Sequence, residues 1–128
     1  MGIRWTALAL VFVLWQASGG EQFAGTWAGT YDGGGMGQFE MTLDKGKDGA
    51  ITGKVIVNGD GATYSADLKS VAFDGAKMTA TYDFPPDPSA EIVMTATFES
   101  ASAKGTWSLR PKGQNDEIAS GGIAVTKK

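Results

Sequence analysis

Two of the residue types on which most protein chemistry depends are missing from this chain: its 128 residues include no histidine and no cysteine. Ser-His-Asp and Cys-His catalysis, His-ligated haem and the common zinc sites all need one or both. The remaining candidates are rich in glycine and carboxylate. Asp32-Gly33-Gly34-Gly35-Met36-Gly37 has the composition of a phosphate cradle, but it opens a strand. The amides and dipole of a helix N-terminus are then lacking, and the segment reads as a hairpin loop. Asn58-Gly59-Asp60-Gly61 and Asp44 to Asp48 lack the Asp spacing and distal Glu of an EF-hand calcium loop. Asp116-Glu117 is a carboxylate pair with no partner placed across a cleft, as acid–base glycoside chemistry requires. The expectation is a protein without catalysis, metal or cofactor.

The elements that would position any site have a period of two. From Phe23 onward apolar and polar residues alternate, with Gly, Asp, Asn and Pro interrupting at intervals of roughly 8–14 residues, the pattern of a sandwich or barrel. The alternation predicts strands over Phe23 to Tyr31, Met36 to Asp44, Ala50 to Asn58 and Ala62 to Phe73. It predicts four more over Lys77 to Phe84, Ala90 to Ser100, Lys104 to Arg110 and a last segment ending in Ile123 and Val125. Within Ala62 to Phe73 the phase slips between Leu68 and Val71, which predicts a bulge or bend. Every connection is short enough for a hairpin. The predicted fold is therefore all-β, an eight-stranded antiparallel up-and-down meander closed into a barrel, because closure removes exposed edges.

The first twenty residues differ from the rest. Arg4 is followed by an apolar run from Trp5 to Trp15 and then by Gln16-Ala17-Ser18-Gly19-Gly20, the order of a secretory signal peptide. The apolar run is shorter than the ~20 residues of a membrane-spanning helix. The expected organisation is a signal peptide over residues 1–20 and one barrel domain over 21–128, exported to periplasm or medium. No membrane span is expected after cleavage. The domain would carry all 14 acidic residues and 10 of the 11 basic ones, a net charge of −4. That balance argues against nucleic acid as a partner.

Two tripeptides are identical, Gly25-Thr26-Trp27 on the first expected strand and Gly105-Thr106-Trp107 on the seventh. A Gly-X-Trp on strand one followed by a meander resembles the calycin superfamily of lipocalins, fatty-acid-binding proteins and avidins. The stretch from Gly25-Thr26-Trp27 through Asp48-Gly49-Ala50-Ile51-Thr52-Gly53 is similar to the start of an avidin. The chain also resembles a small barrel domain of secreted bacterial proteins, often set ahead of hydrolase domains, in which Gly-Thr-Trp pairs and a turn such as Phe73-Asp74-Gly75 recur. The resemblance implies a barrel with a ligand mouth at one end and a closed floor at the other, and it places Trp27 and Trp107 in that floor. It stops short of biotin, since Ala28-Gly29 follows the first of these tryptophans where avidins carry a polar group. Asp32 to Gly35 is too short for a lipocalin lid.

At the mouth end the inward residues are Tyr31, Phe39, Val57, Tyr64, Tyr82, Phe84 and Ile92, the expected ligand lining. The loops there carry Asp32, Asp60, Asp83, Asp87, Glu91, Asp116 and Glu117 against Arg110 and Lys112. An acidic rim favours a neutral or cationic ligand that is mostly apolar, although turns attract Asp and Lys in any case. The inward Met36, Met41, Met78 and Met94, of which Met36 can equally face outward at its loop, suit either a cavity or a filled core. Gly37, Gly53, Ala66, Ala80 and Ala96 leave space for a cavity or for a tightly coiled sheet. A filled core would make the chain an interaction module for another exported protein, an inhibitor being one form.

Overall fold

The computed structural model describes residues 20–33, 35–59 and 62–128. The expected signal peptide lies outside the described residues apart from Gly20. A single 3-10 turn, Glu21–Phe23, leads into nine antiparallel strands: β1 Gly25–Tyr31, β2 Gly37–Lys45, β3 Ile51–Gly59, β4 Ala62–Asp67, β5 Ser70–Asp74, β6 Lys77–Asp83, β7 Ala90–Glu99, β8 Ser102–Pro111 and β9 Ala119–Lys127. The fold is all-β, as the alternation predicts. Phe39, Met41 and Leu43 of β2 are buried while their neighbours are not, and β7 does the same with Ala90, Ile92, Met94, Ala96 and Phe98. Successive side chains of a strand point to opposite faces, so one face of the curled sheet supplies the core.

The strand count corrects the expectation of eight, and the cause is the phase slip. Ala62 to Phe73 is two strands broken at Leu68-Lys69. Leu68 N–H donates to the Gly53 carbonyl on β3 at 2.8 Å, and Lys69 N–H donates to the Thr81 carbonyl on β6 at 2.7 Å. The chain thus leaves one neighbour and joins another within two residues.

The sheet runs β4-β3-β2-β1-β9-β8-β7-β6-β5. The first and last strands pair, Trp27 opposite Lys127 through Tyr31 opposite Ile123. The two edges are β4 and β5, so the sheet is a curled half-barrel rather than a ladder closed all round. Side chains span the seam: the Tyr64 hydroxyl on β4 lies 2.9 Å from the Tyr82 hydroxyl on β6, and the Phe84 ring meets Tyr64 edge-on at 5.8 Å.

Inward glycines permit the curl. A Cβ on Gly105 would run into the Thr95 carbonyl and the Ala96 Cα of β7, so β7 and β8 approach there as only glycine allows. At one end of the sheet an aromatic cluster fills the interior. Phe98 packs against Phe23 at 4.6 Å, Phe73 at 5.6 Å and, edge-on, Trp27 at 4.8 Å. The 3-10 turn carries Phe23 beneath this end, and its carbonyl accepts the buried Trp27 indole N–H at 2.9 Å. Trp27 is fully buried at this end.

Candidate ligand cavity

The opposite end holds a cavity of about 220 Å³. All seven residues expected at the mouth line it: Tyr31 from β1, Phe39 from β2, Val57 from β3, Tyr64 from β4, Tyr82 and then Phe84 from β6 and its C-terminal edge, and Ile92 from β7. Phe39, Val57, Tyr82 and Ile92 are buried and form its base, whereas Tyr31, Tyr64 and Phe84 are half-buried nearer its opening. The alternation explains the convergence: each is among the last two inward residues of a strand running toward this end or the first two of one leaving it, and Phe84 continues the inward face of β6 just past its end.

Gly33, Met94, Trp107, Leu109, Ala119 and Ile123 complete the lining. Met94, Leu109 and Ile123 carry the same inward signal in the sequence. Gly33 and Ala119 carry none, being small residues at a loop and a strand end. Trp107 departs from its expected place in the floor. It faces Met94 on β7 and Gly121 on β9, whereas Trp27 faces Lys127 of β9. The two tryptophans are therefore displaced along β9 by about 20 Å at the rise of a β-strand. Both strand starts contribute: β8 begins at Ser102 rather than Lys104, so that Trp107 falls past its middle, and β1 begins at Gly25 rather than Phe23, so that Trp27 falls near its start.

Trp107 holds the rim together. Its indole N–H donates to the Asp32 carbonyl at 2.9 Å, and its ring meets Tyr31 edge-on at 6.4 Å. Asp32 also receives the Gly122 N–H on its carboxylate at 2.9 Å and donates its own N–H to the Gly122 carbonyl at 3.0 Å. The short loop after β1 is thereby clamped across β9. Tyr31 has its own seat. A Cβ on Gly59 would overlap its hydroxyl, and one on Gly37 would press on its ring, so two glycines of neighbouring strands make the slot that the ring fills.

Among the described residues no charged side chain lines the cavity. The polar atoms of its tyrosines are the exception to an apolar wall. Burial pushes the Tyr82 phenol well above its ordinary value, helped by the neighbouring Tyr64, and burial raises Tyr64 as well. Both stay neutral through the physiological range. Asp83, Glu91 and Lys112 of the rim are held in ion pairs. Lys69, at the break between β4 and β5, reaches Asp83 at 2.7 Å and Glu91 at 3.0 Å, and Lys112 reaches Asp83 at 3.2 Å. Lys69 and then Lys112 hold the Asp83 carboxyl below the usual carboxylate range. Asp83 and Glu91, counted toward an acidic rim, are therefore matched by a lysine whose place the sequence left open. Asp60 lies outside the described residues.

Outside this cavity the chemistry is sparse. Among the described residues no group of three or more Asp or Glu side chains is arranged to hold a metal ion. Among them no helix is long and apolar enough to cross a membrane. No protein-family model matches the chain, and no curated protein or solved structure was found to match it.

Proposed function

We propose that this chain is an exported, calycin-like small barrel that works by binding rather than catalysis and carries a small, mostly apolar ligand in the cavity at its open end. One observation carries the reading. An interior that is packed with aromatic rings at one end gives way at the other to about 220 Å³ of unfilled space, walled by aromatic and aliphatic side chains. Ligand sites have this character, concave and largely apolar with a few polar groups, whereas a filled core leaves few voids larger than a water molecule. The position of Trp27 in the floor and the pairing of first and last strands fit a calycin-like closure, with the Tyr64–Tyr82 contact standing where a backbone ladder would continue.

A second reading rests on a different observation. Met36 and Ile118 are 69% and 61% exposed, on the β1–β2 and β8–β9 connections at the cavity end. Large exposed apolar side chains beside an opening suit contact with another exported protein. Native mass spectrometry on the protein taken from its own host, compared with its denatured mass, separates the two. A discrete excess mass lost on denaturation supports a carried ligand. A larger assembly supports the interaction module, and a clean monomer that also takes up no small apolar probe removes the first reading.

A further inference from the structure

The tyrosine pair at the seam has a hydrogen-bonding capacity that its own contact does not use. The Tyr64 and Tyr82 hydroxyls lie 2.9 Å apart, and either oxygen is able to donate to the other. A hydroxyl carries one proton and two lone pairs. Whichever of the two donates, the other keeps its proton, and among the described residues no further partner takes it. Both side chains line the cavity, and Tyr82 is 2% exposed, so water competes poorly for that proton once the space is filled. The Tyr31 hydroxyl packs against Gly59, and the Trp107 indole N–H is committed to the Asp32 carbonyl. The seam pair therefore presents one directed donor to a mostly apolar wall, with the Tyr31 hydroxyl seated apart from it against Gly59.

Charge narrows the choice further. A carboxylate in this cavity would find no lysine or arginine among the described lining residues. The nearby Lys69 and Lys112 are engaged with Asp83 and Glu91 at the rim. Among the described lining residues an ammonium would find aromatic faces but no carboxylate, and burying a charge without a partner is costly. Size is bounded too: a cavity of about 150 Å³ takes a benzene ring, so one of about 220 Å³ takes roughly nine heavy atoms.

Resting on the ligand-carrying function proposed above, we infer that the natural ligand is neutral and presents a single hydrogen-bond acceptor, a carbonyl or ether oxygen, to the Tyr64–Tyr82 hydroxyl pair while its apolar body fills the space between Phe39 and Trp107. The pair is the specificity element of the site. It also ties binding to the seam, because the acceptor is held where β4 and β6 meet through side chains alone.

Four probes of matched size test this by calorimetry or NMR titration on the full domain: acetophenone, ethylbenzene, phenylacetate and phenethylammonium. Acetophenone is expected to bind best, the two ions weakest. Either single Phe substitution leaves a hydroxyl that still donates, so the decisive variant is Tyr64→Phe with Tyr82→Phe. It is expected to lower acetophenone affinity about 2- to 10-fold, the worth of one hydrogen bond, and to leave ethylbenzene unchanged. Retained ethylbenzene binding also shows that the variant has folded. If the variant binds acetophenone as well as the parent does, or if an ion binds best, the inference is overturned while the ligand-carrying function stands. If no probe binds the parent domain, that function itself fails.

Discussion

Replacing Phe98 with Ala tests whether the two ends of the sheet divide stability from binding. Phe98 is 3% exposed and touches three other rings, Phe23, Trp27 and Phe73, at centroid distances of 4.6, 4.8 and 5.6 Å. Removing a buried Phe costs ~3–5 kcal/mol through lost transfer energy and the cavity left behind. Three rings lose a neighbour at once, and Trp27 and Phe23 are fixed by their own hydrogen bond and cannot readily close the gap. The expected value is therefore near the top of that range, a large share of the ~5–15 kcal/mol that holds a domain folded. Phe84→Ala is the matched change at the other end. Phe84 is half-buried beside open space and its one ring contact is Tyr64 at 5.8 Å, so ~1–2 kcal/mol is expected. Urea unfolding followed by tryptophan fluorescence reads both, and Phe98→Ala should lower the midpoint by about 2 M at an unchanged slope. Probe binding should respond in the opposite order, weakened by Phe84→Ala and retained by folded Phe98→Ala. Equal costs for the two substitutions, or a loss below ~1 kcal/mol for Phe98→Ala, would refute the division.

Three further outcomes are expected. Ser100 turns the β7–β8 hairpin at φ +49°, a conformation that costs a non-glycine residue ~1–2 kcal/mol, so Ser100→Gly should raise stability by about 0.5–1 kcal/mol in the same urea assay. Gly59→Ala should cost ~1–3 kcal/mol by displacing the Tyr31 hydroxyl, and in a Tyr31→Phe background, where that oxygen is gone, most of the cost should vanish. Burial raises the Tyr82 pKa above its unfolded value of 10.0, so its contribution is complete below pH 10 and is lost as the pH climbs toward the folded value. Stability should accordingly fall above pH 10, and the fall should be shallower in Tyr82→Phe.

The period-two pattern carried most of the architecture, because a half-buried antiparallel sheet writes its inner face into every second residue. It carried the cavity lining for the same reason: Tyr31, Tyr64 and Tyr82 are inward residues near strand ends, and knowing direction and phase suffices to bring them together. What stayed hidden has local causes. Glu21–Phe23 is one 3-10 turn, too short to show a helical period, so its last residue, Phe23, read as the start of β1. The division of Ala62 to Phe73 was visible as a slip, but a bulge and a change of partner leave the same mark in sequence. Trp27 and Trp107 show how strand starts that differ by two residues in opposite senses, later at β1 and earlier at β8, set two side chains toward opposite ends without altering their face. The ion pairs of Lys69 could not be foreseen, since the break itself places that lysine beside β6 and β7.

The change of partners at Leu68-Lys69 also has a consequence for how the chain could be rearranged. Eight strand pairings hold the sheet, and seven of them join strands consecutive in the chain. The eighth, β1 with β9, spans nearly the whole domain, and Lys128 N–H donates to the Thr26 carbonyl at 2.9 Å where the two ends meet. A circular permutant that starts at Lys69 and ends at Leu68, with a short linker from Lys128 to the residues before Gly25, keeps all eight pairings. In that order every pairing is local, and lower contact order means faster folding. The new ends fall where no strand ladder crosses, so the position that leaves the sheet open is also the one at which the chain can be cut with least loss.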